Sequence, residues 1–141
     1  MDWKLEVIVV PVSDVDRAKQ FYTDQVGFHC DVDHRAGEDF RIVQLTPRGS
    51  ACSATLMRDK DAAGTLKGLQ VVVADIDAAR AALVERGVEV SELFHFADGQ
   101  QAAGPDPARA DYGTFFSFAD PDGNAWLIQE VPSRAPGTPA A

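Results

Sequence analysis

Residues 5–12 form a largely apolar, β-branched run, and the same texture returns at residues 69–73. Short runs of this kind, bounded by polar turns, predict strands. After the first run Ser13 and Asp14 offer an N-cap. Val15, Ala18 and Phe21 or Tyr22 then recur at helical spacing as far as Gly27, which predicts a helix over about 14–26. Strands are predicted at 28–34, 40–46 and 51–57, with a turn at 35–39 and a second turn at Pro47-Arg48-Gly49-Ser50. The pattern then starts again. A strand at 69–73 precedes a helix capped by Asp75, with Ile76, Ala79 and Leu83 on one face and Gly87 at its end. A strand at 88–94, a polar loop over about 97–113 and a strand at 114–119 follow. The turn Pro121-Asp122-Gly123-Asn124 leads into a last strand at 125–131.

The recurrence is an internal repeat. Val10 to Ala18 aligns with Val71 to Ala79, each a strand, a capped turn and a helix. Thr46-Pro47-Arg48-Gly49-Ser50 aligns with Asp120-Pro121-Asp122-Gly123-Asn124, each a turn between two strands. Two aligned pairs in the same order predict an α+β chain of two tandem βαβββ modules. The expected organisation is a single domain over 1–131, with modules at about 1–66 and 67–131. The Pro-, Ala- and Gly-rich tail at 132–141 is expected to be disordered.

Composition narrows the function classes. The 141 residues carry a formal net charge of −9, from 13 basic and 22 acidic side chains. Phosphate-backbone binding requires basic clusters, so no nucleic acid partner is expected, nor an anionic membrane surface. No apolar run approaches the ~20 residues of a membrane span, and the apolar run at 7–10 is too short for a signal peptide. Cys30 and Cys52 are too few for a disulfide framework and fit a reducing cytoplasm. His29 and His34 stand at odd spacing and point to opposite faces of a regular strand, and His95 ends a strand beside the long loop. No nucleophile elbow, phosphate loop or dinucleotide fingerprint is present.

The motifs Val12-Ser-Asp14-Val-Asp16-Arg17 with Phe21-Tyr22 and Gly27-Phe28, Val73-Ala-Asp75-Ile-Asp77 with Arg86-Gly87-Val88, and Phe118-Ala-Asp120-Pro-Asp-Gly123-Asn124 resemble the vicinal-oxygen-chelate superfamily. This superfamily includes glyoxalase I, extradiol dioxygenases and bleomycin-binding proteins. The resemblance implies a curved mixed sheet, two modules deep in sequence, around a cavity, and a homodimer. It also locates the metal-ligand positions of the family. They fall seven residues before the aspartate of each strand-to-helix motif, at Val7 and Gly68, and three residues after the second turn of each module, at Ser53 and Leu127. Valine, glycine and leucine have no lone pair to give and serine is a poor ligand, so no metal and no cofactor are expected.

Period-2 alternation from those positions gives the expected cavity lining. Val7, Val9, Ser53, Thr55, Gln70, Val72, Leu127 and Gln129 face inward, joined by Tyr112 from the end of the long loop and by Phe115 from the set Phe115, Phe116 and Phe118, whose facing the alternation leaves open. Apolar walls with a few polar groups are the chemistry of a small-molecule site. The reading that follows is a metal-independent binding protein of the bleomycin-resistance type, taking an apolar or cationic metabolite or drug. An alternative is a metal-free isomerase, lyase or cyclase using rim groups such as Arg41, His95, Asp111 or Tyr112. A glyoxalase-like enzyme with relocated metal ligands ranks below these. Whether the protein is an enzyme stays open at this level, because no titratable group falls at the predicted centre.

Overall fold

The structure is a computed structural model and describes residues 1–136. The end of the expected tail, residues 137–141, lies outside the described residues. The chain divides into two compact units. The first is Met1–Leu66 together with Asp120–Asn124; the second is Lys67–Ala119 together with the chain from Ala125 onward.

In the first unit β1 (Val7–Val12) leads into α1 (Val15–Gln20), followed by β2 (His29–Ala36), β3 (Phe40–Thr46) and β4 (Ser53–Arg58). The sheet order is β1-β4-β3-β2, with β1 and β4 parallel and the other pairs antiparallel. Asp14 caps α1 by accepting the Arg17 N–H at 3.0 Å. The last turns of the predicted helix are π-helical, from Phe21 to Val26, and end on Gly27 in the left-handed region. Phe21 and Tyr22 are consequently both buried. Alternation then sorts the strands. Val10, Val12, Val43, Leu45 and Leu56 are fully buried on the face that α1 covers with Val15 and Ala18. Each such aliphatic side chain contributes about 1.5–3 kcal/mol by leaving water.

The turn Asp120–Asn124 belongs to this unit and is organised by one carboxylate. Asp120 Oδ1 accepts the backbone N–H groups of Asp122, Gly123 and Asn124 at 2.9–3.0 Å. Asp120 Oδ2 accepts from the Tyr22 hydroxyl at 2.7 Å and from Asn124 Nδ2 at 2.8 Å. Asn124 Nδ2 also donates to the Pro11 carbonyl at 2.8 Å, and Ser13 donates twice to Asp122. Gly64 lies so close that a Cβ there would stand 2.0 Å from the Asp122 carbonyl oxygen, so only glycine fits.

The second unit repeats the same order with one strand added. Its elements are β5 (Leu69–Val73), α2 (Ile76–Glu85), β6 (Phe94–Ala97), β7 (Gln100–Ala103), β8 (Phe115–Ala119) and β9 (Ala125–Glu130). They form a sheet in the order β5-β9-β8-β6-β7. Read as β5-β9-β8-β6, this is the topology of the first unit. Leu69, Phe116, Phe118, Trp126 and Ile128 are buried together with Ile76 and Leu83 of α2.

Three expectations are corrected here. The strand predicted at 88–94 begins only at Phe94, and Val90 contributes a single bridge to Phe118. The cause is Ser91, whose hydroxyl takes the Ser117 N–H at 2.9 Å that a neighbouring strand would otherwise accept. The polar loop at 97–113 contains β7, because Asp98-Gly99 adopts positive φ at both residues and makes a two-residue hairpin turn. The tail expected to be disordered from Pro132 begins with a 3₁₀ turn at Pro132–Arg134, anchored by the Ser133 N–H donating to Asp111 Oδ1 at 3.0 Å.

Removing the Asp120 carboxylate strands three backbone N–H groups and two side chains in a buried setting. Asp120→Ala is therefore expected to cost about 3 kcal/mol or more, and Tyr22→Phe about 1–2 kcal/mol. Denaturant unfolding of the two variants measures both losses, and equal or negligible effects would contradict this role.

Candidate functional site

Each helix covers one face of its sheet and leaves the other. In the first unit the face away from α1 carries Val7, Val9, Ser53 and Thr55. Val7 sits opposite Ser53 and Val9 opposite Thr55 in the parallel pair β1–β4. Val7 and Val9 are 36% and 49% exposed, whereas Ser53 and Thr55 are buried. Gln44 of β3 stands opposite Thr55 on the same face. Ser53 is the end of a hydrogen-bond chain. Its Oγ lies 2.7 Å from the Thr46 hydroxyl, and Thr46 in turn bonds the Asp31 carboxylate. An ionised carboxylate only accepts, so Thr46 donates to Asp31 and Ser53 donates to Thr46. The Ser53 oxygen is left with lone pairs, one of which meets Gln44 Nε2 at 3.5 Å.

In the second unit the corresponding face carries Gln70, Val72, Phe115, Ser117, Leu127 and Gln129. Gln70 is opposite Leu127, Val72 opposite Gln129, and Phe115 opposite Gln129. The strand alternation that the sequence left open on β8 is thereby resolved. Phe115 and Ser117 share the open face, while Phe116 and Phe118 pack on the helix side. Phe115 joins an aromatic cluster that sequence reading missed: Phe94 stacks on it at 5.6 Å between ring centroids and Phe96 meets it edge-on at 5.4 Å. Phe96 is 56% exposed. The alternating Phe94-His95-Phe96 is the available signal, cut short by ending the predicted strand at Phe94.

The two predicted glutamines bond one another. Gln70 Nε2 donates to Gln129 Oε1 at 2.6 Å, and Gln129 Nε2 donates to the Tyr112 carbonyl at 3.0 Å. Tyr112 holds positive φ and its ring is 52% exposed, with its hydroxyl 3.3 Å from Arg134 Nη2.

The parallel register revises one family position. Val9 and Gln70 each lie five residues before their helix-capping aspartate, and they pair with Thr55 and Leu127. The counterpart of Leu127 is therefore Thr55 rather than Ser53, a two-residue offset that keeps both on the same face. Val7, Gly68 and Leu127 offer no donor atom, and either hydroxyl is a weak ligand, so this set does not fit a divalent ion. Asp75, Asp77 and Glu130 do bring carboxylate oxygens within 4.8 Å of one another, at the start of α2. The Arg109 guanidinium already occupies that cluster, at 2.6 Å from Asp77 and 3.1 Å from each Glu130 oxygen, and Glu130 Oε2 also accepts the Ile76 N–H. Glu130, alternating with Gln129, lies away from the open face, and it is buried because this pairing neutralises it.

The four rim groups considered for catalysis are mostly engaged elsewhere. His95 lies opposite Ala102, alternates away from the Phe94 and Phe96 face, and bonds the Gly104 carbonyl at 2.8 Å. Asp111 accepts from Ser133. Arg41 donates to Asp16 at 2.5 Å and twice to Asp33 at 2.9 Å. Those bonds, with that from Lys19, hold the Asp33 carboxyl well below the usual carboxylate range and raise Arg41 further. Only Tyr112 borders the open face of its unit.

With this geometry in place, the chain's kinship is plain. Residues 4–128 match the Glyoxalase/Bleomycin resistance protein/Dioxygenase superfamily, and the chain belongs to that superfamily. Among solved structures it is similar to TnmS3, an antibiotic binding protein from Streptomyces sp. CB03234, with TM-score 0.73 and 32% identity over 92% of this chain and 97% of that one. A glyoxalase/bleomycin resistance protein from the same organism aligns at TM-score 0.67 and 33% identity, covering 90% of this chain and all of that one (100%). The uncharacterized protein YetH of Bacillus subtilis (strain 168) is 26% identical over 131 residues, 90% of this chain and 98% of YetH. No helix among the described residues is long and apolar enough to cross a membrane.

The Arg41 network predicts a pH dependence. Because Asp33 is held below its ordinary value, its contribution is full above about pH 4 and is lost as pH falls toward the folded-state value. Arg41→Gln is expected to destabilise the protein by about 1 kcal/mol at pH 7, with the difference shrinking toward zero at strongly acidic pH. Thermal unfolding across pH 2–8 checks this; a gap that widens with acid would contradict it.

Proposed function

We propose that this protein binds a small apolar or cationic aromatic molecule, without a metal ion, on the open sheet faces, in the manner of a bleomycin-resistance protein. The observation that carries the reading is the side-chain chemistry of those faces. Aliphatic and aromatic groups are interrupted only by amides and hydroxyls, and the positions where the family holds a metal carry Val7, Gly68 and Leu127 with Ser53 or Thr55. Apolar walls supply affinity and a few oriented polar groups supply specificity. The exposed Phe96 ring beside Phe94 and Phe115 suits a planar or cationic partner. The net charge of −9 raises the local concentration of cations. Similarity at 32% identity to an antibiotic binding protein supports the same class of ligand. The homodimer implied by the family resemblance and the reducing cytoplasm that suits the free thiols Cys30 and Cys52 belong to this reading.

Catalysis is the weaker reading because acid–base work needs a titratable group in reach of the ligand. His95, Asp111 and Arg41 are committed to other partners, and the buried Glu130 is committed to Arg109 and Ile76.

A thermal-shift and calorimetric screen with cationic aromatic natural products, run with and without EDTA, tests the proposal. Saturable binding that EDTA leaves unchanged is expected, with a stabilisation of about 2.7 kcal/mol at a hundredfold excess over Kd. Phe96→Ala is expected to weaken binding about tenfold while leaving the unfolding temperature nearly unchanged, since the ring is already exposed. A flat response across the screen, or binding abolished by EDTA, would contradict the proposal.

A further inference from the structure

The amide chain on the second unit has a direction, and that direction selects ligands. It ends at the Tyr112 backbone carbonyl, which can only accept a hydrogen bond. The Gln129 atom 3.0 Å from it must therefore be the amide nitrogen. This turns Gln129 Oε1 toward Gln70, and the short 2.6 Å contact there must come from Gln70 Nε2. The orientation of both amides follows from one unambiguous acceptor rather than from a choice between equivalent atoms. What remains at the open end is Gln70 Oε1, a carbonyl oxygen with two lone pairs, on an exposed side chain with no partner of its own among the described residues.

We infer that the Gln70 carbonyl is the specificity-determining acceptor of this site, so that its ligand is a planar aromatic molecule bearing a hydrogen-bond donor, most favourably a protonated amine. The inference rests on the binding reading above and sharpens it. Phe115 stands directly opposite Gln129 on β8 and β9, which places the aromatic cluster beside the amide chain on one sheet face. Gln129 links the two, with its side chain bonded to Gln70 and its backbone opposite Phe115, so a ring resting against the cluster at Phe115 with an ammonium directed at Gln70 engages both features. A carboxylate ligand meets lone pairs facing lone pairs. A quaternary ammonium keeps the charge and the ring contacts but cannot donate. Gln129 acts as a positioning residue: its nitrogen is held by the Tyr112 carbonyl, and its oxygen then fixes the Gln70 amide. The first unit follows the same logic at Ser53, whose proton is committed to Thr46 and whose oxygen is left as an acceptor.

Calorimetry with three probes of one ring system separates these effects: 1-naphthylmethylammonium, its N,N,N-trimethyl analogue and 1-naphthylacetate. The primary ammonium is expected to bind at least about fivefold more tightly than the trimethyl analogue, and the carboxylate most weakly. In Gln70→Met the ratio between the two cations is expected to fall to about one, with the trimethyl probe's affinity unchanged. In Gln129→Met the ratio is expected to fall as well, because the hold on the Gln70 amide is gone. Gln70 is exposed, so its variant retains the fold, and unfolding temperature verifies this. Equal binding of the two cations by the unmodified protein, or discrimination that survives in Gln70→Met, would overturn the inference while leaving the binding reading in place. Failure of all three probes to bind would overturn the aromatic-cation form of both.

Discussion

A pleated strand has two faces, and in each unit of this protein a single helix is available to cover one of them. That constraint governs the rest of the structure. Val10 and Val12 in β1, and Leu69 with its neighbours in the second unit, go beneath a helix and form the core. The alternate positions have no helix to meet. Val7, Val9, Gln70 and Val72 are left exposed, and their parallel partners carry hydroxyl, aliphatic and amide groups. The prospective binding surface is thus a by-product of the same alternation that makes the core, and a one-residue slip of register would exchange the two.

The charged groups that might have given this surface reactivity are consumed in holding the fold. Asp120 gathers five hydrogen bonds to close its turn against Tyr22 and Asn124. Glu130 is tied to Arg109 and to the first N–H of α2, and Arg41 is tied to two aspartates. Buried or half-buried charges persist only when paired in this way. What the open faces retain is neutral: hydroxyls and amides, oriented through chains that end in a fixed acceptor, Asp31 on one unit and the Tyr112 carbonyl on the other. Neutral groups with fixed polarity suit the binding role proposed for these faces.

Much of this was legible in the sequence because strand periodicity and capping are local. The aspartates at positions 14 and 75 cap helices where the alignment of the repeat put them, and β3 and β5 have the bounds their apolar runs suggested. The failures occurred where a side chain or a turn overrode the local pattern. Ser91 replaced a backbone ladder bond with its hydroxyl, which erased most of a predicted strand. Asp98-Gly99 made a hairpin inside what read as a long loop, so the strand runs on past Phe94 to Phe96 and brings in the aromatic part of the candidate site. Alternation takes Glu130 away from the open face, but it could not reveal the arginine far away in sequence, Arg109, that pairs with it there. The two-residue offset between the parallel pairs likewise depends on strand pairing, which no single strand encodes.

The claim that the uncovered sheet faces form the ligand site is tested most directly by nuclear magnetic resonance. A titration of ¹⁵N-labelled protein with 1-naphthylmethylammonium follows every backbone amide and the side-chain amides of Gln70 and Gln129. The account predicts saturable shifts in both glutamine side chains and along β5, β8 and β9, with α2 unmoved. Shifts confined to the helices, or to the charged groove around Arg35, Arg41 and Arg58, would contradict it.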